Sequence, residues 1–203
     1  MNDAAVLLFE GFEELDAIGP YDVLATAAAG DAALATVDLV TATPTNSVVA
    51  SKGAEIVPHD TLNSTDPPAY LVVPGGSWVG GADEGVRAVA DRGVVPELIA
   101  DCHAAGSTVA SVCTGAMLLE RGGLLDGRPA VTHRGAIADL EATDATVVDA
   151  RVVDDGDLLT AGGVTSGLDL AFQLIETIRG RDTADEVKTE MEYEPRGKTL
   201  VAR

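Results

Sequence analysis

The sequence predicts an α/β fold, a mostly parallel sheet with helices on both faces. Two observations carry that reading. Short apolar runs alternate with longer segments of helical character along the chain, the order that βαβ units produce. The runs also stop abruptly, at Glu10-Gly11, at Gly75-Gly76 and at Cys113-Thr114-Gly115, as strands do where they hand over to loops. Hydrophobic residues make up 46% of the 203 residues and aromatics 3%, so the core is expected to be built from Ala, Val, Leu and Ile. The length suits one domain, and residues 1–203 show no repeat, low-complexity stretch or linker.

The elements follow in order. Residues 4–9 are an apolar run closed by Glu10 and Gly11, a buried strand. Residues 16–30 read as a helix, with Pro20 tolerable only near the first turn and Gly30 as the stop. Residues 35–41 are the second strand. Val48–Val49 and residues 55–57 flank Ser51-Lys52-Gly53, a hairpin. Tyr70–Val73 is a buried strand ending at Pro74-Gly75-Gly76. Residues 86–105 hold one or two helices interrupted by Gly93. Thr108–Val112 is a strand that runs straight into Cys113, and residues 115–121 form the helix after it. Residues 145–153 and Leu158–Ala161 are strands around the turn at residues 154–157. Ser166–Arg179 is an amphipathic helix with Leu168, Phe172 and Ile175 near one stripe, and a last helix covers residues 183–191.

Charge narrows the function. Asp plus Glu total 33 against 13 Lys plus Arg, a net charge of −20. Such a surface repels phosphate backbones, so nucleic-acid binding is not expected. The acid is spread along the chain, and only three of the cations are lysine (Lys52, Lys188, Lys198). Diffuse acid, few lysines and small side chains resemble the composition of proteins from salt-accumulating halophiles; an ordinary acidic protein is the alternative. No apolar run approaches the ~18 residues of a membrane span, and the N-terminus lacks the basic region of a secretory signal. Two cysteines, Cys102 and Cys113, show no zinc spacing and fit a reducing cytoplasm as free thiols.

In open α/β sheets ligands bind at the carboxyl ends of strands. The residues there are Glu10 to Asp16, Pro74 to Gly81 and Cys113-Thr114-Gly115. Cys113 stands where a strand turns sharply into a helix, the layout of a nucleophile elbow with Cys in place of Ser. The helix N-terminus is expected to lower its thiol pKa. Gly75 and Gly76 leave backbone N–H groups free to face a ligand, and with the N–H of Thr114 they could form an oxyanion hole. Asp16 is either a helix cap or a general acid/base whose pKa is raised by burial and a nearby thiolate. His133 is the default base for Cys113 among three histidines. His59 and His103 read as structural, and Cys102 as a small core residue.

Together these segments resemble the ThiJ/PfpI superfamily, within the class I glutamine amidotransferase-like group, over nearly the whole chain. The matching segments are LDAIGPYDVLA (residues 15–25), VVPGG (72–76), SVCTGAMLLERGGLLDGRPAVTH (111–133), LLTAGGVTSGLD (158–169) and MEYEP (191–195). The LD-x-x-GP segment points to the isonitrile hydratase-like branch. The resemblance implies a flavodoxin-like three-layer sandwich, a homodimer, and catalytic residues at Cys113, Thr114 and Asp16. Many superfamily members carry Glu at the Asp16 position, and peptidase-like members carry His after the cysteine. Asp and Thr here argue against a peptidase. A tryptophan is expected after Thr132-His133 in the hydratase pattern, and Arg134 stands there. AraC-type regulators share the domain but add a helix-turn-helix region; only about twelve residues follow the last predicted helix, so DNA binding is not expected.

The function expected is therefore cysteine-dependent hydration or hydrolysis of a small molecule, with an isonitrile converted to an N-substituted formamide as the leading case. No metal or organic cofactor is implied. A glyoxalase- or deglycase-like activity on reactive aldehydes, with His133 as base, and a non-catalytic thiol redox sensor remain open. The charge generates a first test. At molar salt the Debye length falls to about 3 Å and screens self-repulsion, so the melting temperature should rise markedly between dilute buffer and molar KCl. A flat response removes the halophile reading.

Overall fold

The computed structural model describes residues 2–30, 34–80 and 83–202. Gly81, the last residue of the predicted loop after the Tyr70 strand, lies outside the described residues. The chain runs β1 (Asn2–Leu8), α1 (Glu14–Gly30), β2 (Leu34–Thr41), β3 (Val48–Val49), β4 (Glu55–Ile56), β5 (Asp60–Thr61) and β6 (Tyr70–Val73). It continues through α2 (Val86–Arg92), α3 (Val94–Ala104), β7 (Thr108–Val112), a 3₁₀ turn at Cys113–Gly115, α4 (Ala116–Arg121), β8 (Pro129–Ala130) and α5 (Ile137–Glu141). It ends with β9 (Thr146–Val147), β10 (Val152–Asp154), β11 (Leu158–Ala161), α6 (Ser166–Arg179), α7 (Arg181–Glu190) and β12 (Thr199–Val201).

Among the described residues the main sheet has eight strands in the order β12-β10-β11-β7-β6-β1-β2-β5. β11, β7, β6, β1, β2 and β5 run parallel, and β10 joins β11 antiparallel. Helices α1, α6 and α7 pack together as one layer, and α2, α3 and α4 as another. The central strands are covered on both sides: Val6, Leu7, Leu71, Val72, Val109 and Val112 are buried. That is why they read as continuous apolar runs without alternation. The α/β sandwich expected from the sequence is the one observed.

This order positions the site. β1, β6 and β7 are neighbours, with Val72 of β6 paired to Val6 of β1 and to Ala110 of β7. Their carboxyl ends therefore bring the Asp16, Gly75-Gly76 and Cys113 segments together. The α1 and α6 layer sits close because glycines lie at its contacts. A Cβ at Gly167 would stand 3.3 Å from the Pro20 ring and 3.1 Å from Val112.

Several boundaries differ from the sequence expectation. α1 begins at Glu14, so Pro20 lies in its second turn, not near its first. There its ring replaces an N–H that would have bonded the Asp16 carbonyl. The predicted strand at residues 145–153 is two strands: β9 pairs with β8, and β10 belongs to the main sheet. A tight turn divides them, with Ala150 N–H bonded to the Val148 carbonyl at 3.1 Å. The predicted helix at residues 115–121 is six residues, Ala116–Arg121, preceded by the 3₁₀ turn.

Gly115 generates a stability test. A Cβ built there would approach the Pro74 carbonyl oxygen to 2.8 Å and the Val73 carbonyl oxygen more closely still. Both are backbone atoms that cannot swing aside. Gly115→Ala is expected to lower stability by about 1–3 kcal/mol, read as a lower urea midpoint. An unchanged midpoint would contradict this packing.

Candidate active site

The loop after β1 is stapled to the loop after β6. Phe12 and Gly76 form an antiparallel bridge, and the Glu13 N–H bonds the Gly75 carbonyl at 2.8 Å. This delivers Asp16, in the first turn of α1, into the interior. The Gly75 N–H donates to Asp16 Oδ2 at 3.0 Å. Oδ1 is buried without an N–H or O–H donor. The Cys113 thiol interacts with the same carboxyl group. Burial pushes the Asp16 pKa up to about 7; the Gly75 N–H and the thiol pull the other way and do not offset it, and Glu13 adds to the rise. A Cβ at Gly75 would lie 2.6 Å from Asp16 Oδ2 and 2.8 Å from the Thr114 nitrogen, so only glycine lets the two segments close on each other.

Cys113 follows β7 directly and has φ 60°, a left-handed conformation that non-glycine residues rarely adopt. The strain is held from behind: Thr132 Oγ1 and the His133 N–H both donate to the Cys113 carbonyl, at 3.0 and 3.2 Å. The side chain is 5% exposed. Burial, then the charge of Asp16, push its pKa up to about 12, while the Thr114 N–H favours the thiolate. The expectation of a helix-lowered thiol pKa is therefore corrected. The helix that follows is only six residues long, and desolvation outweighs it.

The two glycines also differ from expectation. Thr114 Oγ1 accepts from the Gly76 N–H at 2.9 Å and donates to the Gly76 carbonyl at 2.7 Å. The Gly75 amide is held by Asp16 and the Gly76 amide by Thr114. Neither glycine N–H is free for an oxyanion in this arrangement; they fix the site instead. The Thr114 N–H is the amide that faces the sulfur.

His133 is half-buried and lines a cavity of about 490 Å³ with Cys113, Thr114, Trp78, Glu13 and Lys52. Its Nδ1 accepts from the Gly135 N–H at 3.1 Å. The neutral ring then carries its proton on Nε2.

The profile of the DJ-1/PfpI family matches residues 2–177. The chain belongs to the DJ-1/PfpI family. It is 36% identical to an isonitrile hydratase from Pseudomonas putida over 189 residues, covering 93% of this chain and 77% of the relative. It is 27% identical to a Parkinson disease protein 7 homolog from Danio rerio, covering 91% and 94%. A solved DJ-1 superfamily protein from Salmonella typhimurium superposes with a TM-score of 0.82 at 28% identity, covering 96% of this chain and all of that one.

In this DJ-1/PfpI chain the cavity wall includes a residue that the sequence reading passed over. Trp78 is 5% exposed, and its indole N–H bonds Asp139 Oδ2 at 2.5 Å. The Arg87 guanidinium lies 3.8 Å from its ring centroid. The available signal was that the chain's one tryptophan falls in the loop after β6. At the mouth, Lys52 from the β3–β4 turn pairs with Glu13 at 2.5 Å. The other histidines are elsewhere: His59 Nδ1 accepts from the Leu39 N–H at 3.1 Å, and His103 Nε2 meets Asp157 at 2.9 Å. Cys102 is fully buried, and burial pushes its pKa up to about 11. Among the described residues no three His, Cys, Asp or Glu side chains are grouped to hold a metal ion.

Asp16 ties this geometry to stability. Its folded pKa of about 7 exceeds the ordinary 3.8, so folding favours the protonated acid. That stabilisation is complete below pH 4 and is lost as pH rises toward 7. Asn cannot ionise. The melting temperature of Asp16→Asn minus that of wild type should therefore grow between pH 4 and 7 and level off above. Calorimetry at pH 5, 6, 7 and 8 measures it, and a difference independent of pH would contradict a buried carboxylate.

Proposed function

We propose that this chain is a cysteine-dependent hydratase that converts an isonitrile to its N-substituted formamide. The observation that carries the reading is a buried carboxyl group with a pKa near 7 in contact with a thiol on a strained elbow. The two groups form a coupled pair that passes from two protons to one near pH 7. Similarity to an isonitrile hydratase over 93% of the chain supports the choice of substrate.

The reaction then runs through residues already in contact. The Cys113 sulfur bonds to the terminal isonitrile carbon while its proton passes through Asp16 to that carbon, leaving a thioimidate. Asp16 takes a proton from water as the water oxygen attacks the same carbon, and the nitrogen is protonated. The carbon–sulfur bond breaks, the C=O bond forms, and the thiol recovers its proton as the formamide leaves. The sum is addition of one water. The Thr114 N–H stabilises the sulfur while it carries charge.

Other uses of the thiol fit less well. A redox sensor needs an accessible low-pKa thiol, whereas Cys113 is 5% exposed and its pKa is raised. An aldehyde-processing enzyme with His133 as base needs a free imidazole lone pair, and Nδ1 is taken by Gly135. We read the chain as one domain that acts on a small molecule as a cytoplasmic homodimer, with no nucleic-acid or membrane partner. Among the described residues no helix is long and apolar enough to cross a membrane.

Turnover of methyl isonitrile at molar KCl, followed as formamide, tests the mechanism. kcat/KM should rise with pH through about 7, the Asp16 value, because the working form has given up one of the pair's two protons. Asp16→Asn should reduce kcat by roughly 10²–10⁴. Wild-type turnover in Asp16→Asn, or a flat profile from pH 5 to 9, would rule out Asp16 as the proton carrier.

A further inference from the structure

After Gly76 the chain runs through Ser77, Trp78, Val79 and Gly80; Ser77, Val79 and Gly80 are exposed, and Trp78 is buried. Its ring lines the 490 Å³ cavity together with Cys113. Two residues hold it there, one from α2 and one from α5. Arg87, in the first turn of α2, donates from Nε to the Trp78 carbonyl at 3.3 Å and from its backbone N–H to the Ser77 carbonyl at 3.0 Å. Its guanidinium lies over the indole ring, 3.8 Å from the centroid. Asp139, in α5, accepts the indole N–H on Oδ2 at 2.5 Å and sits 3.7 Å from Arg87 Nη2. Arg87 thus fixes the backbone and covers the ring, but attraction to a ring face tolerates rotation of the ring. The hydrogen bond to Asp139 is directional and sets how the ring is turned. Asp139 itself is not part of the cavity wall, and its side chain is half exposed.

We propose that Asp139 is a positioning residue: by accepting the indole N–H it keeps the Trp78 ring across the Cys113 cavity, as the part of the wall that screens the thiol and Asp16 from bulk water. The inference rests on the reading of Cys113 and Asp16 as the reacting pair. Both groups owe their raised pKa values first to burial. Cys113 is only 5% exposed although it lines a cavity whose other walls include the exposed residues Ser51, Lys52, Ser77 and Val79. Burial in such a place lasts only while the wall is closed. A ring turned outward would admit water, which solvates thiolate and carboxylate alike and lowers both pKa values. A buried indole also needs a partner for its N–H, and its own loop, exposed on either side of it, supplies none. A carboxylate meets that need with a charge-assisted bond and attracts the Arg87 guanidinium at the same time. One side chain therefore joins the loop after β6 to α2 and α5, and α5 follows His133 and Gly135, which line the same cavity.

The test uses Asp139→Leu, which removes the acceptor, and Asp139→Asn, which keeps an oxygen for the indole N–H. Trp78 is the chain's one tryptophan, so tryptophan fluorescence reports on this ring alone. In Asp139→Leu, with folding checked by a melt, the emission should move to the red and acrylamide quenching should increase. Alkylation of Cys113 by iodoacetamide at fixed pH, read by peptide mapping, should speed up about tenfold, the gain when a thiol pKa falls by one unit. Asp139→Asn should restore both readouts. Cys102, fully buried elsewhere, is the control and should react as in wild type. A merely structural role would lower the melting temperature and leave Cys113 alkylation unchanged; that result overturns the proposal, as does an equal rise at Cys102. Trp78→Phe keeps a ring without an N–H and should alkylate like Asp139→Leu, which decides the matter if Asp139→Leu does not fold; a wild-type rate in Trp78→Phe is a contrary result. Adding Asp139→Leu to Trp78→Phe should change nothing further, and an additional rise would show Asp139 acting by another route and overturn it too. None of these readouts needs turnover. If wild type converts no methyl isonitrile while alkylation and fluorescence behave as expected, the hydratase reading falls and the Trp78 wall stands.

Discussion

A buried carboxyl group beside a buried thiol is the constraint on which the rest depends. Asp16 receives a single N–H from Gly75, and its other oxygen has no such donor. An ionised carboxylate so poorly solvated is expensive, so the pair keeps a proton into the neutral range. That expense is what makes Asp16 useful as a proton carrier, and it is also a local loss of stability. The surrounding structure holds the pair together regardless: three adjacent parallel strands, a bridge from Phe12 to Gly76, and a carbonyl of Cys113 tied by Thr132 and His133.

The backbone donors near the sulfur are divided by task. Gly75 and Gly76 hold Asp16 and Thr114 in register, and the Thr114 amide is left toward the sulfur. Thr114 spends its hydroxyl on both polar groups of Gly76, so its side chain joins the ends of β6 and β7. His133 is fixed as a donor by Gly135. The thiol chemistry therefore has one acceptor for its proton, Asp16.

The strands of the central sheet were legible because burial on both faces leaves continuous apolar runs: Tyr70–Val73, Thr108–Val112 and Leu158–Ala161 are read at their true bounds. Cys113, Asp16 and Thr114 were legible as candidates because strand ends in such sheets carry ligands, and His133 because it is one of only three histidines. The two-residue strands β5 and β8, the five-residue α5 and the edge strand β12 are too short to show a period. The direction of the Cys113 shift was misread because a sequence shows a helix following the thiol but not how deeply the thiol is buried. The engagement of the Gly75 and Gly76 amides was equally hidden, since it depends on residues 38 and 59 positions away in the chain. Trp78 has its role through Arg87 and Asp139, distant contacts that no local pattern reveals.

The proton of Asp16 can be observed directly. In protein labelled with aspartate carrying ¹³C at the side-chain carboxyl, the Asp16 resonance, assigned by its absence in Asp16→Asn, should titrate with a midpoint near 7. It should stay well above the ordinary value in Cys113→Ala, because burial raises it and the thiol pulls the other way. A midpoint near 4 in wild type would contradict a proton shared between Asp16 and Cys113.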